Sequence, residues 1–273
     1  MYGVTQFREL KTAHRAVPDD YMAYVGPAVD YDLLGAAQFS LLVALGLRHH
    51  HALLDYGCGS LRAGRFLLPF LDPGHYYGLE PNTWLLEAAL DRQLGRDMLD
   101  IKQPTFLSHD SFGTGEFGRR FDYILAHSIL SHTGPGLIDR VLSQIVAGLA
   151  DDGLALVTVC QARWPRRSEA KSHGWVYPEA VWYRASDVRA RARAAGFHSV
   201  ALRWRHPRQR WYALAHHPAR LPSARQRLMA GTYPRASLRK TAGRQVIERC
   251  PPHIWERVLA IRWRRGRGRT AGS

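Results

Sequence analysis

The chain predicts an α/β fold in which five parallel strands are closed by a C-terminal antiparallel hairpin, with helices on both faces. Three observations carry this. Short β-prone runs alternate with stretches of helical period, the order that builds parallel sheet through right-handed crossovers. The first strand breaks into a glycine turn, Gly57-Cys58-Gly59, as strands do when they feed a helix at a ligand-facing edge. The last two strands, SVALRWR and RWYALAH, are joined only by HPRQ, so they must run antiparallel.

Taken in order, Leu34, Ala37, Leu41 and Leu45 recur every three or four positions and mark a helix before the first strand, HALLDY. Ser60 is expected to cap the next helix, whose apolar face is Phe66, Leu67, Phe70 and Leu71. HYYGLE is the second strand, and Pro81 is expected in the first turn of the helix after it. PTFLSHD ends a third strand at Asp110, and FDYILAH is the fourth. Ile138, Val141, Leu142, Ile145 and Leu149 share a helix face, with the helix ending near Gly153, and LALVTV is the fifth strand. The domain is expected over residues 1–216. It includes an N-terminal helical cap (1–48) and an irregular aromatic-rich insert (160–184), and residues 217–273 form a basic, largely helical extension.

Bulk properties narrow the class. The chain has 273 residues, 46% of them hydrophobic, enough for one α/β domain with additions and against global disorder. The longest apolar runs, such as Leu41–Leu47, are too short to span a bilayer, and the N-terminus has no apolar signal region. Cys58, Cys160 and Cys250 are spaced for neither a disulfide framework nor a zinc motif, so no metal and a reduced, cytoplasmic setting are expected. The net charge of +15 has two readings: an acidic partner, or arginine-rich codon usage, since lysine occurs only at Lys11, Lys102, Lys171 and Lys240. After Leu221 the only acids are Glu248 and Glu256.

Three strand ends carry the chemistry. Glycines after Asp55 let backbone N–H groups approach a ligand, but Arg62 stands where the dinucleotide fingerprint needs its third glycine. Glu80, about twenty residues on, ends the second strand where a carboxylate can accept both hydroxyls of a ribose. Asp110 and Ser111 end the third, placed for a base, with Phe112 beside them.

LLDYGCGSLRAG resembles the first motif of class I S-adenosylmethionine-dependent methyltransferases, the Rossmann-like seven-strand class. YYGLEPN, SHDSF, FDYILAHSILSH and DDGLALVTV resemble their later motifs in order and spacing. The resemblance covers about residues 31–216, and its stretch from Tyr31 to Asn82 looks like a bacterial subgroup, some encoded beside surface-glycan or natural-product genes. It implies S-adenosylmethionine as cofactor. Gly57, Cys58 and Gly59 would pass the methionine moiety, and Asp55 would hold the loop and the ammonium. Glu80 would bind the ribose with Pro81 beside it, Asp110 and Ser111 would contact adenine, and Ala126 and His127 would line the sulfonium side. Leu61 departs from the family's usual glycine.

The acceptor is expected to be a small molecule, glycan or natural-product peptide, methylated on oxygen between the insert, Gln38 and the loop after the fourth strand. His132 is the leading general base, followed by His127 and then His206, with Trp175 and Tyr177 as aromatic walls. Three alternatives stay open. Ester formation on a carboxylate would use an arginine clamp. An RNA acceptor fits the basic tail, with nucleic acid as a whole disfavoured; against DNA, Ala126-His127-Ser128-Ile129 replaces the motif of amino-methylating DNA enzymes. A non-catalytic cofactor-binding module is the third. A homodimer through the tail's apolar positions is a further expectation.

Overall fold

The computed structural model describes residues 20–162 and 173–231. Helices α1 (Tyr21–Tyr24) and α2 (Tyr31–Ala44) precede strand β1 (Leu53–Tyr56) and helix α3 (Gly64–Phe70). Strand β2 (Tyr76–Leu79) leads to α4 (Thr83–Ala89) and α5 (Asp97–Lys102), then to β3 (Thr105–Leu107) and β4 (Phe121–Ala126). Helix α6 (Leu137–Gly148) runs into β5 (Leu149–Gln161), and β6 (Trp182–Tyr183) precedes α7 (Ala185–Ala194). Strands β7 (His198–Ala201) and β8 (Arg210–Ala215) and helix α8 (Ala224–Leu228) complete the described chain.

The sheet order is β3-β2-β1-β4-β5-β8-β7. β1 to β5 are parallel, β8 is antiparallel to both β5 and β7, and the short β6 pairs parallel with the end of β5. This is the Rossmann-like sheet of five parallel strands plus a hairpin, with β6 the addition. The order reverses beside β1, so the carboxyl ends of β1 and β4 open on a crevice where α/β sheets bind ligands.

Alternation along each strand divides the core between two faces. Leu53, Leu125 and Leu156 pack with α2, α3 and α4 residues such as Leu41, Leu67 and Leu86. Their neighbours Leu54, Ile124 and Val157 pack on the other face with Ile138, Val141, Ile145 and Val188 of α6 and α7. Each fully buried aliphatic side chain contributes ~1.5–3 kcal/mol.

Some boundaries differ from expectation, for local reasons. Ser60 does not cap α3, whose N-cap is Ala63; its Oγ lies 3.2 Å from the Tyr31 hydroxyl instead. Pro81 lies before the N-cap Asn82, outside α4. Helix α6 stops at Gly148, and Gly153 is inside β5, because Leu149 pairs with Phe121. The aromatic-rich insert is strand at both ends, Cys160 and Gln161 pairing with Trp182 and Tyr183; its residues 163–172 lie outside the described residues.

Residues 232–273, among them the expected docking positions Ile247, Ile254, Val258 and Ile261, lie outside the described residues. Residues 217–231, the first part of the expected extension, lie on the domain: Arg203 N donates to Arg227 O at 2.9 Å, Arg205 N to Ala230 O at 3.0 Å, and Leu221 and Met229 pack on the core. Leu228 is exposed. Among the described residues no helix is long and apolar enough to cross a membrane, and no group of three metal-ligating side chains forms. Cys58 and Cys160 are free and buried.

Candidate active site

The glycine turn leaves β1 in a left-handed conformation. Gly57 has φ +77° and Gly59 φ +55°. A Cβ on Gly57 would stand 2.2 Å from Ile129 Cδ1, and one on Gly59 2.7 Å from Val25 Cγ1. Leu61 also has positive φ, 54°. The usual glycine there is thus explained by the backbone, and Leu61 offsets a cost of ~1–2 kcal/mol by complete burial. Gly57 N and Cys58 N donate to Leu79 O at 2.8 and 3.1 Å, which ties the turn to the end of β2.

Two buried carboxylates flank this turn. Glu80 Oε2 accepts from Gly59 N at 3.0 Å, while Oε1 accepts from Asn82 N at 2.9 Å and Asn82 Nδ2 at 2.7 Å. Burial raises the Glu80 carboxyl above its ordinary range, and these bonds pull it back. Asp55 Oδ2 accepts from the Tyr76 hydroxyl at 2.9 Å, and burial pushes its carboxyl up to about 7. An elevated native value means that Asp55 binds its proton more tightly folded than unfolded. The stability it contributes is therefore complete below about pH 4 and is lost as pH rises through about 7, an effect on the order of a few kcal/mol. Asp55→Asn keeps an acceptor for Tyr76 but cannot ionise, so its stability relative to the native chain is expected to rise between pH 5 and 7.5. Urea denaturation at the two pH values checks this, and a pH-independent difference would contradict it.

At the end of β3, Asp110 and Ser111 are exposed. The Ser111 hydroxyl lies 2.9 Å from His109 Nδ1 and accepts from Gly113 N at 3.2 Å. Phe112 has φ +62°, and its carbonyl accepts from the Tyr56 hydroxyl at 2.6 Å. Tyr56 thereby links the ends of β1 and β3.

The insert meets the loop after β4. Val176 N donates to His132 O, Thr133 bridges Trp175, and the His132 ring lies 5.7 Å from Trp175 and 5.1 Å from Tyr177. Trp175 also faces Phe112 at 5.8 Å, and Tyr177 stacks on Tyr24 at 5.1 Å while donating to its carbonyl. The structure thus brings together His132, Trp175 and Tyr177 as expected, and adds Tyr24. His132 Nδ1 lies 2.5 Å from the Glu179 carbonyl, so it carries the proton and Nε2 keeps the lone pair. Burial lowers the His132 pKa to about 4.

His127 and His206 form a separate buried line. His206 Nδ1 accepts from Arg208 N at 3.1 Å and Gln209 N at 2.8 Å, and the two Nε2 atoms are 2.9 Å apart. His127 Nδ1 faces Arg62 Nη2 at 2.7 Å. Both Nδ1 atoms thus face donors, so the line has room for one ring proton, between the Nε2 atoms. Two neutral imidazoles carry two, and one contact is not a hydrogen bond whichever tautomers are drawn. Burial, with the charge of Arg62 beside them, holds both rings below the ordinary histidine value and so favours their neutral forms. Neither ring has a lone pair free of this line, so both are poorly placed as general bases.

Arg62, 7% exposed, donates Nη1 to Val25 O at 2.7 Å, while its Nε finds no partner. Gly26, with φ +138°, marks where a second guanidinium approaches: its Cβ would stand 3.4 Å from Arg62 Nη1 and 3.5 Å from Arg208 Nη2. Two such charges about 7 Å apart or less repel by ~2 kcal/mol at an effective dielectric of 20. Among the described residues no carboxylate forms an ion pair with either. Gln38 is buried on α2 with its amide nitrogen unpartnered, and among the described residues no hydrogen bond joins it to the insert.

Sequence reasoning missed Tyr24, Val25, Tyr76 and Arg208. Tyr76 had a signal, the alternation of HYYGLE that puts it on the Leu53 side of the sheet. Arg208 had none to separate it from the other 37 basic residues of a total of 38.

Comparisons with known proteins agree with this geometry. Residues 54–155 match the family model described as "Methyltransferase domain". No curated protein matches the sequence. Among solved structures, the DhpI–SAH complex is 14% identical with TM-score 0.52, covering 72% of this chain and 92% of that one. The glycopeptide N-methyltransferase MtfA with S-adenosyl-L-homocysteine is 12% identical with TM-score 0.51, covering 66% and 89%. Magnesium protoporphyrin IX methyltransferase (ChlM) from Synechocystis PCC 6803 with bound SAM is 16% identical with TM-score 0.50, covering 72% and 86%. At these identities the structural likeness speaks for the fold alone. Residues 54–155 thus resemble a methyltransferase domain, within a Rossmann-like fold shared with proteins crystallised with S-adenosylmethionine or S-adenosyl-L-homocysteine.

Proposed function

We propose that the chain transfers the methyl group to an oxygen of a small molecule, glycan or natural-product peptide, with His132 as general base when that oxygen is a hydroxyl. The observation that carries this is the His132 tautomer: the Glu179 carbonyl takes the Nδ1 proton, leaving Nε2 as a lone pair among Trp175 and Tyr177.

The cofactor supplies an electrophilic methyl on a sulfonium. The chain's own groups do the rest. Gly57, Cys58 and Gly59 present backbone without a side chain in the way, and Asp55 holds the turn through Tyr76. Glu80, beside Pro81, would accept from the ribose hydroxyls. Asp110, Ser111 and Phe112 would hold adenine at the end of β3, and Ala126 and His127 would line the sulfonium side. Alignment of the two reactants in such a site supplies ~7–11 kcal/mol of barrier reduction.

Transfer from methyl-13C S-adenosylmethionine, followed by the carbon shift of the product, separates a methoxyl from an N-methyl group; an N-methyl product would overturn the oxygen reading. Titration calorimetry is expected to give binding of S-adenosylmethionine and S-adenosylhomocysteine and none of NAD. Arg62 stands where the dinucleotide site needs glycine, and its side chain is buried between Val25 and His127. NAD binding would contradict that role for Arg62.

A second reading, methyl ester formation on a peptide C-terminal or other carboxylate, is favoured by the unpaired Arg62 guanidinium. It needs no base, and product analysis distinguishes it by alkaline lability of the methyl group.

A further inference from the structure

We propose that Arg62 and Arg208 form a clamp for a carboxylate of the methyl acceptor, so that the acceptor is an acid. The inference rests on the reading that the acceptor enters at this edge of the sheet, and it deepens that reading by naming a substrate class.

The argument starts from unpaired charge. A guanidinium has five N–H donors and stays charged, and burying one without an anion is costly. Arg62 is 7% exposed and donates with certainty to one acceptor, the Val25 carbonyl. Its Nε has no partner, and its Nη2 faces the one histidine line whose proton count does not close. Arg208 adds a second guanidinium near the same point, both lying at ordinary contact distance from a Cβ on Gly26, 3.4 Å for Arg62 Nη1 and 3.5 Å for Arg208 Nη2. The polar atom of Gln209 left over, its buried Oε1, has no partner either, and its amide nitrogen donates to Ser128 Oγ at 2.8 Å.

An anion between the two arginines resolves the unpaired Arg62 donor, the histidine line and the repulsion between the guanidinium groups, and leaves Gln209 Oε1, itself an acceptor, as it is. Arg62 Nε and Nη2 together make the paired fork that a carboxylate accepts bidentately. Drawn to a carboxylate, Nη2 leaves His127 Nδ1 free to carry its proton, and the two-histidine line then closes with one proton on each ring. The like-charge repulsion between the arginines becomes a shared attraction.

Position points to the acceptor. Arg208 belongs to the hairpin loop between β7 and β8, and Val159 of β5 pairs with Arg210, so this loop stands at the carboxyl end of β5. His127 follows β4, the strand beside β5. The glycine turn, Glu80 and the end of β3 lie on the other side of β4, along β1, β2 and β3. A carboxylate held by Arg208 is therefore on the side away from the expected ribose and base contacts. S-adenosylmethionine has a carboxylate of its own, and the test separates the two sources.

Benzoate and its neutral isostere benzamide are titrated into the protein saturated with S-adenosylhomocysteine, by calorimetry or ligand-observed NMR. Benzoate is expected to bind at least about tenfold more tightly than benzamide, the range for one charge-assisted pair. Arg208→Gln is expected to remove that difference, and Arg208→Lys to retain part of it. Arg208 is only half-buried, so these changes test the clamp without emptying the buried Arg62 position. Equal affinity for the two probes, no binding of benzoate, or a preference that survives Arg208→Gln overturns the proposal. A loss of S-adenosylhomocysteine affinity in Arg208→Gln as large as the loss for benzoate also overturns it, assigning the carboxylate to the cofactor. None of these results bears on whether the transferred methyl lands on oxygen, which the product analysis decides separately.

Discussion

His132→Ala is expected to lower turnover on a hydroxyl acceptor by ~100-fold or more while leaving cofactor affinity nearly unchanged. The His132 pKa of about 4 looks at first too low for a base. The proton it takes, however, becomes acidic only as the attacking oxygen bonds to the methyl carbon and acquires positive charge. An oxygen in that state gives its proton to a weak base, and the need is for an acceptor in the neutral form and in place. At pH 7 the low value keeps His132 neutral, and the Glu179 carbonyl fixes which nitrogen accepts. The sign of the pH dependence follows. Activity should stay level as pH falls through 6.5, where an unperturbed histidine would begin to protonate, and decline only near pH 4 to 5. A kcat profile on the native enzyme checks this. Wild-type turnover in His132→Ala on its authentic hydroxyl substrate would remove the residue from catalysis. On a carboxylate acceptor the same change should matter little, because an ionised oxygen has no proton to lose.

The sheet was readable because its signals are redundant. Alternation along β1, β4 and β5, helical period in α2 and α6, and the short link of the hairpin each give the same layout. The ends of elements were less readable, since they depend on tertiary pairing. Nothing local tells Leu149 to leave α6 and pair with Phe121, or tells Ser60 to meet Tyr31 rather than cap α3. Within the site, residues tied to backbone geometry were legible: a glycine turn with positive φ announces itself, and even the departure at Leu61 sits where the backbone is left-handed. The histidines were not. Sequence placed His127 and His206 as separate candidates for base and lining, whereas the structure joins them in one buried line whose lone pairs are already facing partners. That juxtaposition spans residues 127 to 206 across two strand ends, and no spacing rule reaches it. Val25 and Tyr24, which lie over Gly59 and against Tyr177, come from a stretch without periodicity and carry no signal at all.

Glu80→Ala is expected to weaken binding of S-adenosylhomocysteine by ~1–3 kcal/mol, the range for losing a hydrogen-bonded charged acceptor. Two losses combine in that figure. One is direct, the acceptor for the ribose. The other acts through the turn, because Oε2 holds Gly59 N and Oε1 holds Asn82 through two bonds, so the alanine variant frees donors on both sides of the crevice. Two further measurements separate them. Glu80→Gln keeps one oxygen to accept from Gly59 N while losing the charge, and it is expected to fall between alanine and the native chain. Comparing S-adenosylhomocysteine with its 2′-deoxy analogue isolates the ribose contact: the native chain should prefer the hydroxylated ligand, and the alanine variant should not. The fold should survive, since Glu80 stands at the end of β2 and its own burial raises the free energy of its charged form. A thermal melt without ligand checks that independently. If the dissociation constant is unchanged in Glu80→Ala, or if the preference over the deoxy analogue persists, the carboxylate serves only to brace the turn, and the ribose is held by other groups.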